Sequence, residues 1–269
     1  ADNATISATN IAVDALNESF AYAVGSGGVI YYYNGSEWNP ESSPTTSTIY
    51  DIKIISQTDI WAVGNDIYHF NGVSWSVAYE TNTCYSIDVV SATDIYVGSI
   101  NGIIYHYDGS AWTFTTANAG HIKDIQMDAS DSGWALASDG EILYYNGFGW
   151  SLQHDIERSS CTTISVSSTS DIWVGSAQQF DGVTKLGHWD GREWLVVLNG
   201  YGRKINSMRA LSGSDIWFIG SNPYYGDSGT NISHWNGTSL QEITSPTSNT
   251  LYDIYMMSET DGWAVGGDG

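Results

Sequence analysis

Apolar and polar residues alternate along this chain in short runs, broken every few residues by Gly, Asn, Asp and Ser. A two-residue period marks strands with one face inward, and the punctuating residues are those that turns require. One stretch shows the unit. Ile49 to Ile55 carries apolar residues at 49, 52 and 54 and reads as a first strand, A. Ile60 to Val63 follows as B and Ile67 to Phe70 as C; Asn71-Gly72 then forms a tight turn into strand D, which starts at Trp75.

This unit repeats. Thr58-Asp59-Ile60-Trp61-Ala62-Val63-Gly64 returns as Thr93-Asp94-Ile95-Tyr96-Val97-Gly98, Ser170-Asp171-Ile172-Trp173, Ser214-Asp215-Ile216-Trp217 and Thr260-Asp261-Gly262-Trp263, with looser copies around Tyr22 and Trp134. The aromatic anchors at 22, 61, 96, 134, 173, 217 and 263 are spaced by 39, 35, 38, 39, 44 and 46 residues. A period of about 40 residues carrying four strands is that of a propeller blade. The turn signature aromatic-[Asn/Asp]-Gly-x-x-Trp follows at Tyr33, Phe70, Tyr107, Tyr145 and Trp189, and at Trp235 with Leu240 in place of the last Trp. A twisted four-stranded sheet buries both faces only against copies of itself, which predicts an all-β ring forming one domain over 1–269.

Strands A and B occur seven times but C and D six, so seven blades are expected: six complete repeats and a partial seventh closed by the termini, with residues 1–10 supplying its tail. Six blades with a spare hairpin is the alternative. Ala1 stands where no initiator Met does, and the chain reads as processed or excised from a longer one.

The run Gly-Trp-Ala-Val-Gly, with copies at Gly133-Trp134-Ala135-Leu136 and Gly262-Trp263-Ala264-Val265-Gly266, resembles the Ycf48-like propellers and more distantly the Asp-box propellers. No copy keeps the Asp-box spacing Ser-x-Asp-x-Gly-x-Thr-Trp. The resemblance implies a propeller fold and is silent on ligand.

Several residues of chemical type fall into repeat columns. Cys84 and Cys161 share a strand-A column with Ile49, Ile122, Ile205 and Leu251, and so read as core residues rather than a disulfide. His69, His106, His188 and His234 share one strand-C column, and only their four blades carry Asp at the A–B turn: Asp59, Asp94, Asp171 and Asp215. The two complete blades without that Asp, at Phe20 and Ser132, have Tyr32 and Tyr144 instead of His. An Asp–His hydrogen bond tying turn to strand is therefore expected, and no metal site. Ser-x-[Ser/Thr]-Asp recurs at five hairpins, a turn device rather than a nucleophile. Four Arg, at 158, 192, 203 and 209, form no recognisable triad for an acidic sugar. Of the sequons at Asn3, Asn17, Asn34, Asn231 and Asn236, the third and fifth are explained by the hairpin turn itself. No catalytic residue and no cofactor are assigned.

Individuality lies in blades five and six, whose B–C loops are long. Gln178, Gln179, Phe180 and Lys185 from the first, Tyr224, Tyr225 and Asp227 from the second, and Tyr201, Arg203 and Lys204 from the intervening D–A segment are the candidate ligand-binding residues. Arg158 joins them on that rim. The inward column Asp14, Lys53, Asp88, Gln126, Ser165, Arg209 and Tyr255 is expected to line a wet axial channel.

Thirty acidic residues against eight basic ones give a net charge of −22, which repels nucleic acid and anionic lipid; no apolar run is long enough for membrane insertion. Low Lys content points to secretion or the cell surface. Together these features predict a non-catalytic extracellular recognition module for a glycan or protein. Alternatives are a structural or assembly subunit, as in a surface layer, and a glycan-acting hydrolase or lyase, which would need a pair of carboxylates in a cleft.

Overall fold

The computed structural model describes residues 9–155, 161–176, 185–199, 204–221 and 230–267. They form six four-stranded antiparallel sheets, each in the order A-B-C-D, and a two-stranded sheet, Leu251–Ser258 with Asp261–Gly266. The protein is an all-β propeller. Blade two holds Asp51–Ser56, Asp59–Val63, Ile67–Phe70 and Trp75–Tyr79, within two residues of the boundaries expected from the alternation.

By complete blades the count is six, the alternative expectation, but the hairpin is not spare. Its A strand touches both the A strand of blade six, Lys204–Ser212, and that of blade one, Asn10–Asn17. Seven inner strands thus form an unbroken cycle. Residues 1–8, expected to finish the seventh sector, lie outside the described residues.

Apolar clusters fill every gap between neighbouring sheets. Ile30 and Tyr22 of blade one pack on Ile52, Ile60 and Tyr68 of blade two, and the same pattern continues to Ile219 of blade six against Leu251 and Ile254 of the hairpin. The last gap is aromatic: Trp263 meets Tyr33 at 4.8 Å and Trp38 at 5.4 Å between ring centroids. Fully burying a residue such as Ile52 contributes about 1.5–3 kcal/mol, and the ring needs copies of itself to do so. Cys84 and Cys161 are buried in these interfaces and form no disulfide, as expected.

The C–D turns hold because Gly35, Gly72, Gly109, Gly147, Gly191 and Gly237 take φ between +83° and +91°. At Gly72 a Cβ would also lie 2.7 Å from the side chain of Thr58, so turn conformation and close packing both demand glycine.

The Asp–His tie exists in all four blades. His69, His106, His188 and His234 place Nε2 at 2.8, 2.7, 2.6 and 2.7 Å from Asp59, Asp94, Asp171 and Asp215. Each imidazole also stacks on the strand-B aromatic, at 4.1–4.3 Å from Trp61, Tyr96, Trp173 and Trp217. In blades two and five the indole N–H donates to the same Asp, at 2.8 and 3.0 Å. Blade four substitutes Ser132 and Tyr144, whose hydroxyls are 3.2 Å apart. Asp59→Ala would strand both an imidazole and a buried indole N–H. Urea unfolding should show a loss of about 2 kcal/mol, against about 1 kcal/mol for Asp215→Ala, whose Trp217 makes no such bond.

Candidate functional site

The seven A strands face the axis, and three of their columns define a channel. The deeper one is the column read from sequence: Asp14, Lys53, Asp88, Gln126, Arg209 and Tyr255 line cavities of about 210 and 330 Å³ at the two ends. Ser165 departs from expectation. It is fully buried and accepts the Ala210 N–H at 2.9 Å instead of meeting the channel.

Two residues earlier on each strand lies a column the sequence reading passed over: Ala12, Asp51, Ser86, Asp124, Thr163, Ser207 and Asp253. With the deeper column it fastens each blade to the next. Asp14 accepts the Ile54 N–H at 2.7 Å, Asp51 that of Ile87 at 2.8 Å and Asp88 that of Met127 at 2.6 Å. Asp124 then accepts from Ile164 and Gln126 from Val166, both at 2.8 Å. Ser207 donates to Asp253 at 2.6 Å, and Asp253 accepts the Val13 N–H of blade one at 2.9 Å. The hairpin is thereby latched at both sides.

These carboxylates sit where charge is unfavourable. Burial raises Asp14 to about 6 against the pull of Lys53, and burial raises Asp51 to about 7, with Asp253 and Asp124 adding repulsion. Burial likewise lifts Asp124 to about 7 and raises Asp253. Burial alone would lower Lys53, but Asp51, Asp88 and Asp14 surround it and hold its pKa well above the ordinary lysine value. Arg209 lies over the Tyr255 ring at 5.1 Å. The carboxylates are committed to cohesion, and each has a defined backbone partner.

The third column forms the mouth. On six A strands the pairing register skips one residue near the start: Ile11, Tyr85, Lys123, Thr162, Asn206 and Tyr252. Such a bulge leaves one residue out of the ladder and re-aims its side chain. Together with Tyr50, all seven line the 210 Å³ cavity. Tyr50 and Tyr85 pack at 5.4 Å, the Lys123 ammonium sits 3.7 Å over the Tyr85 ring, and Tyr252 is exposed. Burial lowers the Lys123 pKa. Three phenols, an amine, an amide and a hydroxyl thus ring an opening whose floor is charged. The mixture suits a polar segment with some apolar surface.

This mouth opens at the end of the ring from which the B–C and D–A loops emerge. Of the rim residues expected to bind ligand, Gln178, Gln179, Phe180, Tyr201, Arg203, Tyr224, Tyr225 and Asp227 lie outside the described residues, as does Arg158. Lys185 begins a strand of blade five, and nothing is described of its side chain. Lys204 begins the A strand of blade six, half-buried, and burial lowers its pKa. Among the described residues, no group of three or more His, Cys, Asp and Glu side chains is placed to hold a metal ion, and no helix is long and apolar enough to cross a membrane.

No protein-family pattern matches the chain, and no curated protein sequence does. Solved structures do. Ycf48 bound to D1 peptide shares 15% identity over 98% of this chain and 92% of its own, with a TM-score of 0.75. The WD40 propeller domain of Doa1 shares 15% over 98% and 94%, with a TM-score of 0.76. The extracellular domain of the one component system BT4673 from B. thetaiotaomicron shares 17% over 99% of this chain but only 38% of its own, at 0.74. At these identities the likeness is one of fold.

Proposed function

We propose that this propeller is a non-catalytic recognition module that holds a segment of a partner protein at the channel mouth, with the blade five and six loops as its rim. The observation that carries this reading is the ring of residues around the mouth. Six strands turn a side chain out of the ladder toward one opening, Tyr50 joins them from the seventh, and three of the seven are tyrosines. Tyrosine supplies large contact area with a polar tip at low entropic cost. A propeller of similar fold, Ycf48, has been seen with a peptide bound, which supports a peptide as ligand here. The tie of every named channel aspartate to a backbone N–H argues against hydrolytic use of those acids. A secreted or surface location accords with the extracellular domain among the similar folds. A glycan on the same rim is the second reading, favoured by the tyrosines and by amides such as Asn206.

A displayed random-peptide library and a glycan array, both probed with the intact chain, test this. Selected peptides should bind the wild-type protein and weaken at least tenfold on Tyr50→Ala/Tyr252→Ala, with the melting temperature unchanged within about 2 °C because Tyr252 is exposed. Loss on Tyr224→Ala/Tyr225→Ala/Arg203→Ala as well would place the rim in the same site. Glycan binding without peptide binding, or peptides indifferent to the mouth variant, would overturn the proposal.

A further inference from the structure

The mouth has a counterpart at the opposite end of the ring. Just before each A–B turn the pairing register skips one residue, on all seven A strands: Leu16, Ile55, Val90, Asp128, Ser167, Leu211 and Met257. A bulge there turns a side chain out of the ladder, as it does at the mouth. Five of the seven are apolar, and they stand on consecutive sectors of the closed cycle: six, seven, one, two and three. Leu16 and Val90 are exposed; Ile55, Leu211 and Met257 are half-buried at the ends of the seams. Ile55 and Val90 also border the cavity of about 330 Å³ at this end. The surroundings carry one sign of charge. Glu18, Asp128, Asp131, Glu259 and Asp261 are exposed at the A–B hairpins, where no Lys or Arg stands, and the C–D turns carry Arg192 alone. Every one of these turns lies within the described residues.

We propose that this end is a second docking surface, which takes a cationic amphipathic segment of a partner protein. Its apolar side chains lie on the arc running from Leu211 through Met257, Leu16 and Ile55 to Val90, and its Lys or Arg side chains face the acids of the surrounding hairpins. Single exposed aliphatic residues are ordinary, whereas an arc spanning five sectors around a cavity is the kind of patch that marks an interaction site. Charge complementarity decides the occupant. An acidic segment would meet repulsion on every side, and a second copy of this chain would bring the same acidic turns and a net charge of −22 to the contact. A basic segment is instead steered toward the end that has almost no base of its own. Asp128 and Ser167 interrupt the ring on blades four and five, so the face is apolar on one side and polar on the other. A ligand with the same division fits it best. This surface is independent of the channel mouth and of the loops around it.

A capped peptide of leucine and lysine in helical period would be titrated against the full chain, beside its scrambled isomer and a version with glutamate for lysine. The amphipathic peptide should bind and shift the methyl resonances of Leu16, Ile55, Val90, Leu211 and Met257, leaving Ile11 at the mouth unmoved. Its scrambled isomer should bind about tenfold more weakly and the glutamate version should not bind. Leu16→Ser/Val90→Ser, at exposed positions, should leave the melting temperature within about 2 °C of wild type and weaken binding about tenfold. Tyr50→Ala/Tyr252→Ala should leave this binding unchanged. Glu18→Gln/Glu259→Gln should weaken it and flatten its dependence on salt. No binding, equal binding of the two leucine–lysine isomers, indifference to Leu16→Ser/Val90→Ser, or self-association of the chain through this end would each overturn the proposal.

Discussion

Asp253→Ala should cost this propeller about 3 kcal/mol and should open it at one seam first. The Asp253 carboxylate accepts from Val13 of blade one at 2.9 Å, from Ser207 of blade six at 2.6 Å and from its own Ile254 N–H at 2.9 Å. Truncation leaves the Val13 amide, in a residue only 4% exposed, without a partner, and an orphaned buried donor costs about 1–3 kcal/mol by itself. The Ser207 hydroxyl loses its acceptor as well. The seam has little reserve, because among the described residues its hairpin has two strands where other sectors have four. Hydrogen exchange on the variant should show Leu251–Ser258 and Asn10–Asn17 losing protection before the inner strands of blades two to five. Asp253→Asn keeps an acceptor oxygen and should lose less than about 1 kcal/mol. Equal losses for the two substitutions, or uniform loss of protection, would count against the latch.

Stability should rise as pH falls from 8 to 5. Asp14 titrates at about 6 and Asp51 and Asp124 at about 7 in the folded chain, against 3.8 for an ordinary aspartate. The cause in each is burial first, with mutual repulsion added for Asp51. Because the folded pKa values are raised, the folded state holds more protons than the unfolded state between about pH 4 and 7. Stability therefore increases as pH drops through 7 and 6, and the gain goes on growing until the unfolded carboxyls are protonated too, near pH 4. Independent groups would together contribute more than 5 kcal/mol. Protonating one relieves its neighbours, so about 3 kcal/mol is expected, or on the order of 10 °C in Tm. Thermal melts in matched ionic strength measure this directly. Asp51→Asn/Asp124→Asn should flatten the profile and raise the Tm at pH 8. A profile peaking at pH 8 would refute this account of the channel.

Much of the architecture was legible because repetition let one blade interpret another. The aromatic column at 22, 61, 96, 134, 173, 217 and 263 located every B strand, and the covariation of Asp with His inside one chain predicted four hydrogen bonds. The channel was only half legible. Two-residue alternation assigns a face but not a partner, so Asp14 and Asp88 were placed inward without their neighbours' amides being visible. The bulge defeated the same rule at Tyr85, Lys123 and Tyr252. Alternation sends the residue before an inward aspartate outward, and a register skip sends it to the mouth. The acids at 51, 124 and 253, aligned by repeat, were the available signal for the second column. The rim of blades five and six drew attention through its loop length and its aromatic, amide and basic residues.

The register skip also bears on how such a molecule diversifies. Two of the seven mouth side chains also fasten seams, Thr162 by donating to the Ile205 carbonyl and Asn206 by donating to the Leu251 carbonyl, so it is positions 11, 50, 85, 123 and 252 that are open to being rewritten one at a time. Five interchangeable letters around a fixed frame would let relatives acquire new tastes while the wheel beneath them stays sound, and the same five are where an engineer should randomise.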